Sequence, residues 1–224
     1  MQPDAVLKVG GSLSRADGLR DLCRQIEVLG ERYCLMVVPG GGKFADLVRE
    51  FYHKYKLDES TAHRMALLAM DQFGYLLKRL IGNGSLATEP ESALQSACKG
   101  HVPILIPSAS VLRDSRLPHS WQVTSDTVAA WVALVTGCPK LVLLKDVDGL
   151  MPVESSGEFG SECIRQMTVA QLKQRAGGVD AYLPQLLASA RLESWVVNGL
   201  EHERLGELLA SGYTVGTRIL PDLS

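Results

Sequence analysis

No stretch of this chain approaches the roughly 18 consecutive apolar residues that suggest a membrane span. The opening Met1-Gln2-Pro3-Asp4 runs straight into a strand pattern and has no secretory-leader character, so a cytoplasmic protein is expected. Neither sign of charge dominates. The formal net charge is -2 over 224 residues, and no basic stripe or RNA-module signature invites nucleic acid. Cysteine is sparse and unpatterned: Cys23, Cys34, Cys98, Cys138 and Cys163 are odd in number and contain no Cys-x-x-Cys. They read as reduced, mostly buried thiols. His53, His63, His101, His119 and His202 lack metal-ligand spacing, which argues against a structural zinc site. Two nucleotide fingerprints are also missing. Gly-x-x-x-x-Gly-Lys-Ser/Thr does not occur, and no Gly-x-Gly-x-x-Gly opens the first helix, which excludes a P-loop and weakens a Rossmann reading.

Apolar residues make up 46% of the chain, enough to core one large α/β domain or two small ones. Twice in the first 45 residues an apolar strand runs into glycines: Ala5-Val6-Leu7-Lys8-Val9-Gly10-Gly11-Ser12, then Leu35-Met36-Val37-Val38-Pro39-Gly40-Gly41-Gly42-Lys43. A helical pattern follows each, so bare backbone N–H groups come to helix N-termini beside a lysine. That arrangement holds anionic oxygens, above all phosphates. Tight strand-to-helix turns alone would also use such glycines.

Periodicity predicts strands at 5–9, 33–38, 102–107, 141–144, 194–197 and 215–220. Helices are expected near 17–30, 43–56, 58–81 (with Asp58 as N-cap), 125–136, 169–175, 184–192 and 201–210. Alternating strands and helices imply a mostly parallel sheet covered on both faces, with ligands at the carboxyl ends of the strands. The long helix carries one apolar stripe through Ala62, Met65, Ala66, Ala69, Phe73, Leu76 and Leu80, and a second through Leu67, Met70, Gly74 and Leu77. Either loops cover the second stripe or it meets another subunit.

Two polar motifs follow. In Val123-Thr124-Ser125-Asp126-Thr127, Ser125 or Asp126 would cap a helix. The alternative is that Asp126 orders lysines or Mg²⁺ around transferring phosphates. Lys145-Asp146-Val147-Asp148-Gly149 ends a strand in a polar turn, and the later ligands of a calcium loop are missing.

Taken in order, Lys8-x-Gly10-Gly11-Ser12, Pro39-Gly40-Gly41-Gly42, Ser125-Asp126-Thr127-x-Ala129-Ala130, Asp146-Val147-Asp148-Gly149 and Gly216-Thr217-Arg218-Ile219 resemble the signature series of the amino acid kinase superfamily. The resemblance spans almost the whole chain. It implies a single domain with a three-layer αβα sandwich and a mostly parallel central sheet. Residues of about 1–120 would bind the acceptor and about 121–224 ATP. Lys8 matches the lysine that stabilises the transferring phosphoryl group. Gly10, Gly11 and Ser12 match the loop on the ATP phosphates, joined there by Ser125. Gly40, Gly41 and Gly42 match the acceptor loop, Asp126 the aspartate that positions catalytic lysines, and Asp146, Asp148 and Gly149 the turn lining the nucleotide.

Many members carry a second lysine in Gly-Gly-Met-x-x-Lys. Here the stretch reads Gly177-Gly178-Val179-Asp180-Ala181-Tyr182, without one. Lys145 is the candidate replacement; a surface lysine after a strand is the other reading. The segments 60–75 and 180–184 resemble a smaller branch, the (5-aminomethylfuran-3-yl)methyl phosphate kinases of methanofuran synthesis. That resemblance implies a small phosphorylated metabolite as substrate, ATP and Mg²⁺ as cofactors, and His63 facing the acceptor phosphate. A solvent-facing histidine in a first helical turn is the alternative for His63. Homo-oligomerisation through the 58–81 helix is expected. Uridylate or small-carboxylate kinases, and a non-catalytic oxyanion-binding protein on the same fold, are the rival functions.

Overall fold

The computed structural model describes residues 2–152, 160, 162–175 and 177–222. Among these residues one sheet contains β1 (Ala5–Val9), β2 (Leu35–Pro39), β3 (Gly84–Ala87), β4 (Val102–Leu105), β5 (Lys140–Lys145), β6 (Gln166–Thr168), β7 (Glu193–Asn198) and β8 (Thr217–Leu220). Their spatial order is β3-β4-β2-β1-β5-β7-β8-β6. Every pairing is parallel except β7 with β8. The central strands β1 and β2 are buried at every position, as strands covered on both faces must be.

The covering helices are α1 (Leu19–Gly30), α2 (Gly42–Tyr55), α3 (Glu59–Leu80), α4 (Pro90–Ala97), α5 (Ser108–Arg113), α6 (Ser125–Val135), α7 (Val169–Arg175), α8 (Leu183–Ala188) and α9 (Arg204–Ser211). They complete a three-layer αβα sandwich. Its two apolar cores follow from the two-residue period of the strands. Ala5, Leu7 and Val9 pack with Leu22 and Ile26 of α1 and Leu205 of α9, while Val6 packs with Val128 and Val132 of α6. Lys8 shares the parity of Val6, so β1 delivers its ammonium to the α6 side.

The expected elements are present, with shifted ends. The helix after Pro184 stops at Ala188, and Glu193 already belongs to β7. Asp58 caps α3 as expected, accepting from the Thr61 N–H at 2.9 Å. Sequence periodicity had not indicated β3, β6, α4 or α5.

Three expectations need correction. Neither Ser125 nor Asp126 caps α6: Thr124 holds the N-cap position without a side-chain cap of its own. Only Cys23 and Cys138 are buried; Cys34, just before β2, Cys98, just after α4, and Cys163 are half-buried. The second stripe of α3 faces inward, since Leu67, Met70, Gly74 and Leu77 are all buried within the chain. The exposed apolar side chains of α3 are Leu68, Tyr75 and Leu76. α3 packs against α2 and α5 as well as against β2, β3 and β4, so more than one face is covered: Leu67 and Met70 join one core and Phe73 and Leu77 the other.

Candidate active site

Three neighbouring parallel strands, β2, β1 and β5, end at one place, and each runs into a polar or glycine loop. Val9 leads to Gly10, Pro39 to Gly40 and Lys145 to Asp146. The loops are laced together by backbone: the Gly10 N–H donates to the Leu144 carbonyl and the Gly40 N–H to the Val9 carbonyl, both at 2.8 Å. Glycine is required where they touch. A Cβ on Gly11 would lie 2.6 Å from the Gly42 nitrogen, and one on Gly40 would lie 2.5 Å from the Gly11 nitrogen. Any side chain there would force the two loops apart.

Above this floor lies a cleft of about 610 Å³. Of the residues expected from sequence, Lys8, Gly10, Gly11, Ser12, Gly41, Gly42, Ser125, Asp126, Lys145 and Asp146 line it. Gly40 lies beneath, in the backbone contact just described. Asp148 and Gly149 sit outside the lining. The Asp148 carboxylate takes Asn198 Nδ2 at 2.9 Å and Arg204 Nη1 at 2.5 Å, and Gly149 packs on Thr217. His63 lines a neighbouring recess that shares Gly41, Trp121 and Ser125 with the cleft.

The chemical centre is Asp126. Lys8 Nζ meets Oδ1 at 2.7 Å as an ion pair rather than a well-aligned hydrogen bond, and Lys145 Nζ donates to Oδ2 at 2.9 Å. One carboxylate thus holds two ammonium groups, one from β1 and one from β5. Both Lys8 and Asp126 are almost wholly buried. Burial on its own would raise the Asp126 pKa, but the charges of Lys8 and Lys145 outweigh it and bring the group down to about 2. Burial also lowers the Lys8 pKa, with Asp126 opposing that shift. The acid therefore stays ionised at neutral pH.

Asp180 supplies the capping that α6 lacks locally. Its Oδ2 accepts from the backbone N–H of Thr124 at 3.1 Å and of Thr127 at 2.9 Å, while the hydroxyls of Thr124 and Thr127 donate at 2.8 and 2.5 Å. In the sequence Asp180 belongs to the stretch without a lysine and to the 180–184 resemblance, and neither assigns it a role of its own. Sequence reading also missed Arg15, Arg49 and Trp121, which line the cleft. Arg15 and Arg49 both pair with Asp46 on α2, Arg49 at 2.7 Å. No local signal marks these side chains, because each reaches the site from a helix or loop whose own pattern is ordinary.

The arrangement suits anionic oxygens: backbone N–H groups at Gly11 and Ser12 and at the start of α2, beside two ammonium groups held in fixed positions. Ser12 Oγ donates to Asp146 Oδ1 at 2.7 Å, so Asp146 is oriented at the cleft wall. Among the described residues no three acidic, histidine or cysteine side chains gather as a metal cage. Mg²⁺ carried on a polyphosphate needs only one or two carboxylates, and Asp146 is the acid placed to offer one.

The profile of the amino acid kinase family matches residues 5–194. The [5-(aminomethyl)furan-3-yl]methyl phosphate kinase of Methanocaldococcus jannaschii is 25% identical over 217 residues, spanning 96% of this chain and 97% of that protein. The uridylate kinase of Archaeoglobus fulgidus shares the fold with a TM-score of 0.75 at 19% identity, over 96% of this chain and 99% of that one. The UMP kinase of Bacillus anthracis superposes with a TM-score of 0.76 at 16% identity, over 100% and 98%.

Proposed function

Because this chain belongs to the amino acid kinase family and is a phosphotransferase, we propose that it transfers the γ-phosphoryl group of ATP to a small phosphomonoester and forms a diphosphate. The acceptor we favour is (5-aminomethylfuran-3-yl)methyl phosphate, the group in the name of the Methanocaldococcus jannaschii relative. The observation that carries the reading is the single carboxylate of Asp126 between Lys8 and Lys145 at the floor of the cleft.

An acceptor phosphate is already anionic at neutral pH, so no general base is needed. The barrier is repulsion between the ATP polyphosphate and the acceptor phosphate as they approach in line. Lys8 neutralises charge that builds on the transferring group, and Lys145 stands in for the lysine missing from 177–182. Asp126 fixes both cations, so their alignment costs nothing at the moment of reaction. Gly10, Gly11, Ser12 and Ser125 hold the ATP phosphates, with Asp146 beside them. Asp148 and Gly149 shape the turn on the nucleotide side. Kinases of this family use ATP, generally with Mg²⁺, which when bound offsets phosphate charge. In this reading the acceptor lies along Gly40 to Gly42, near His63. Residues of about 1–120 serve the acceptor and about 121–224 the nucleotide, within one domain.

The protein works in the cytoplasm as a homo-oligomer in this reading. The surface we assign to self-association is the outward face of α3, where Leu68, Tyr75 and Leu76 are 53%, 59% and 40% exposed. Incubating the protein with ATP, Mg²⁺ and a panel of phosphomonoesters, carboxylates and carbamate tests the activity. Phosphorus NMR is expected to show two coupled product resonances beside those of ADP, with phosphomonoesters only. His63→Ala is expected to raise KM for the acceptor and spare that for ATP. Turnover with carboxylates and none with phosphomonoesters would overturn the acceptor assignment.

A further inference from the structure

Cys34 and Cys98 stand 64 positions apart in the chain, yet their sulfur atoms lie 2.9 Å from each other. That is longer than an S–S bond of about 2.04 Å and too close for any other group to stand between them. Both are free thiols on half-buried residues. Regular structure fixes each of them. Cys34 lies just before β2, where its N–H donates to Asp4 Oδ2 at 2.7 Å and its carbonyl accepts from the Asp4 N–H at 2.9 Å. Cys98 is the C-cap of α4, and its N–H donates to the Leu94 carbonyl at 3.1 Å. The helix is in turn held to β3 through Ser96 and Ser85, whose hydroxyl oxygens are 3.0 Å apart.

The other cysteines are placed differently. Cys23 and Cys138 are buried, and the Cys163 thiol lies against Met151 Sδ at 3.5 Å. Burial, followed by the contact with Cys98, pushes the Cys34 thiol up to about 12, so at neutral pH its sulfur rests protonated. The pair has no part in the cleft. Gly40 follows β2 at its carboxyl end and Cys34 precedes it at the amino end, so about 20 Å of strand separates the two.

We propose that Cys34 and Cys98 form a site of reversible oxidation, at which a small-molecule disulfide such as oxidised glutathione links the two and fastens α4 to the amino end of β2. One cysteine, as its thiolate, attacks a sulfur of the glutathione disulfide. A mixed disulfide forms and one glutathione thiolate leaves. The neighbouring cysteine, also as its thiolate, then attacks the protein sulfur of the mixed disulfide and expels the second glutathione. The two cysteine sulfurs give up two electrons, the glutathione disulfide takes them, and the two protons end on the two glutathione thiols. Excess thiol reverses both steps. The loop so closed carries α2, α3, β3 and α4. Linking its ends restricts the unfolded chain, so the oxidised protein is the more stable form.

Incubating the folded, reduced protein with oxidised glutathione tests this without turnover. Intact mass is expected to fall by two hydrogen atoms, and a non-reducing peptide map to join the peptides of Cys34 and Cys98. The melting temperature is expected to rise by about 5–10 °C, the effect of closing a loop of this length in a chain of this size, and to return when dithiothreitol is added. Cys34→Ser and Cys98→Ser are each expected to abolish the linkage and the rise, and Cys163→Ser to keep both. Should a serine variant fold poorly, the oxidised and reduced wild type still give the comparison. Free thiols at both positions, a glutathione adduct that persists on either, or a linkage to Cys138 instead would overturn the proposal. A melting temperature that does not rise on oxidation would overturn it as well.

Discussion

The carboxylate of Asp180 caps the helix of Thr127 from 53 residues further along the chain, accepting from both its backbone N–H and its hydroxyl. The helix so capped presents Asp126 in its first turn. Asp180→Ala is therefore expected to cost about 2 kcal/mol, a lost cap with its donors left unpaired, and to lower kcat about tenfold by loosening Asp126. Asp180→Asn keeps an acceptor and is expected to recover part of both. Thermal melts and ADP-release kinetics on the two variants check this. Equal kcat in the wild type and Asp180→Ala would detach the cap from catalysis.

Lys8→Met removes a buried charge while keeping most of the side-chain volume. We expect kcat to fall on the order of 10²-fold or more, as for one lost charge-stabilising donor, with KM for ATP changed far less. Stability is expected to shift by under about 2 kcal/mol, because Lys145 still pairs with Asp126. A steady-state assay showing near-normal kcat would remove Lys8 from the transition state.

Asp126→Asn has a different signature. Since Asp126 does not cap its helix, the variant is not structurally neutral. It leaves Lys8, 4% exposed, without its charge partner, at a cost of about 3–5 kcal/mol. The pH dependence has a definite sign. The folded pKa of Asp126 is about 2, below the unfolded value of about 3.9. Its contribution to stability is fully present above pH of about 4 and is lost as pH falls toward about 2. Chemical denaturation of the wild type and Asp126→Asn across that window is expected to give converging stabilities. Parallel curves would mean that Asp126 does not carry this titration.

Lys145→Met is compared with Lys140→Met, at the opposite end of β5. Lys145 lies 2.9 Å from Asp126, and its loss is expected to depress kcat by about 10²-fold while the Lys140 change is nearly silent. Small, equal effects in the coupled assay would leave the second cation unassigned.

The exposed face of α3 gives the last prediction. For the self-association proposed above, Leu68→Glu together with Tyr75→Glu is expected to give monomers in sedimentation velocity, with the melting temperature little changed. An unchanged sedimentation coefficient would move self-association to another surface.

Much of this was legible in the chain because the central strands are continuous apolar runs that stop at glycines. Lys8 was conspicuous as the one charge inside β1. Lys145 was reached by chemistry rather than pattern: a missing cation had to be replaced from a strand end nearby. β3 was hidden because Gly84-Ser85-Leu86-Ala87 has little strand propensity and takes its register from β4. The cap from Asp180 was hidden too, since a side chain acting across 53 positions leaves no mark on local periodicity. Trp121 sits in an irregular loop, and only the fold brings it to the cleft that Gly41 also lines.

The middle of the sheet has a consequence for how the protein comes to exist. β1 pairs with β5 through Val6 with Leu141 and Val9 with Leu144, contacts that close a loop of about 135 residues. During synthesis, β1 must wait with one edge unsatisfied until β5 has left the ribosome, and longer still for the cap that Asp180 provides. Such late, distant closures slow folding and expose an open strand edge meanwhile. The assembled phosphate site is thus among the last features to form, and its appearance during refolding, followed by ATP binding, should lag behind the gain of helix.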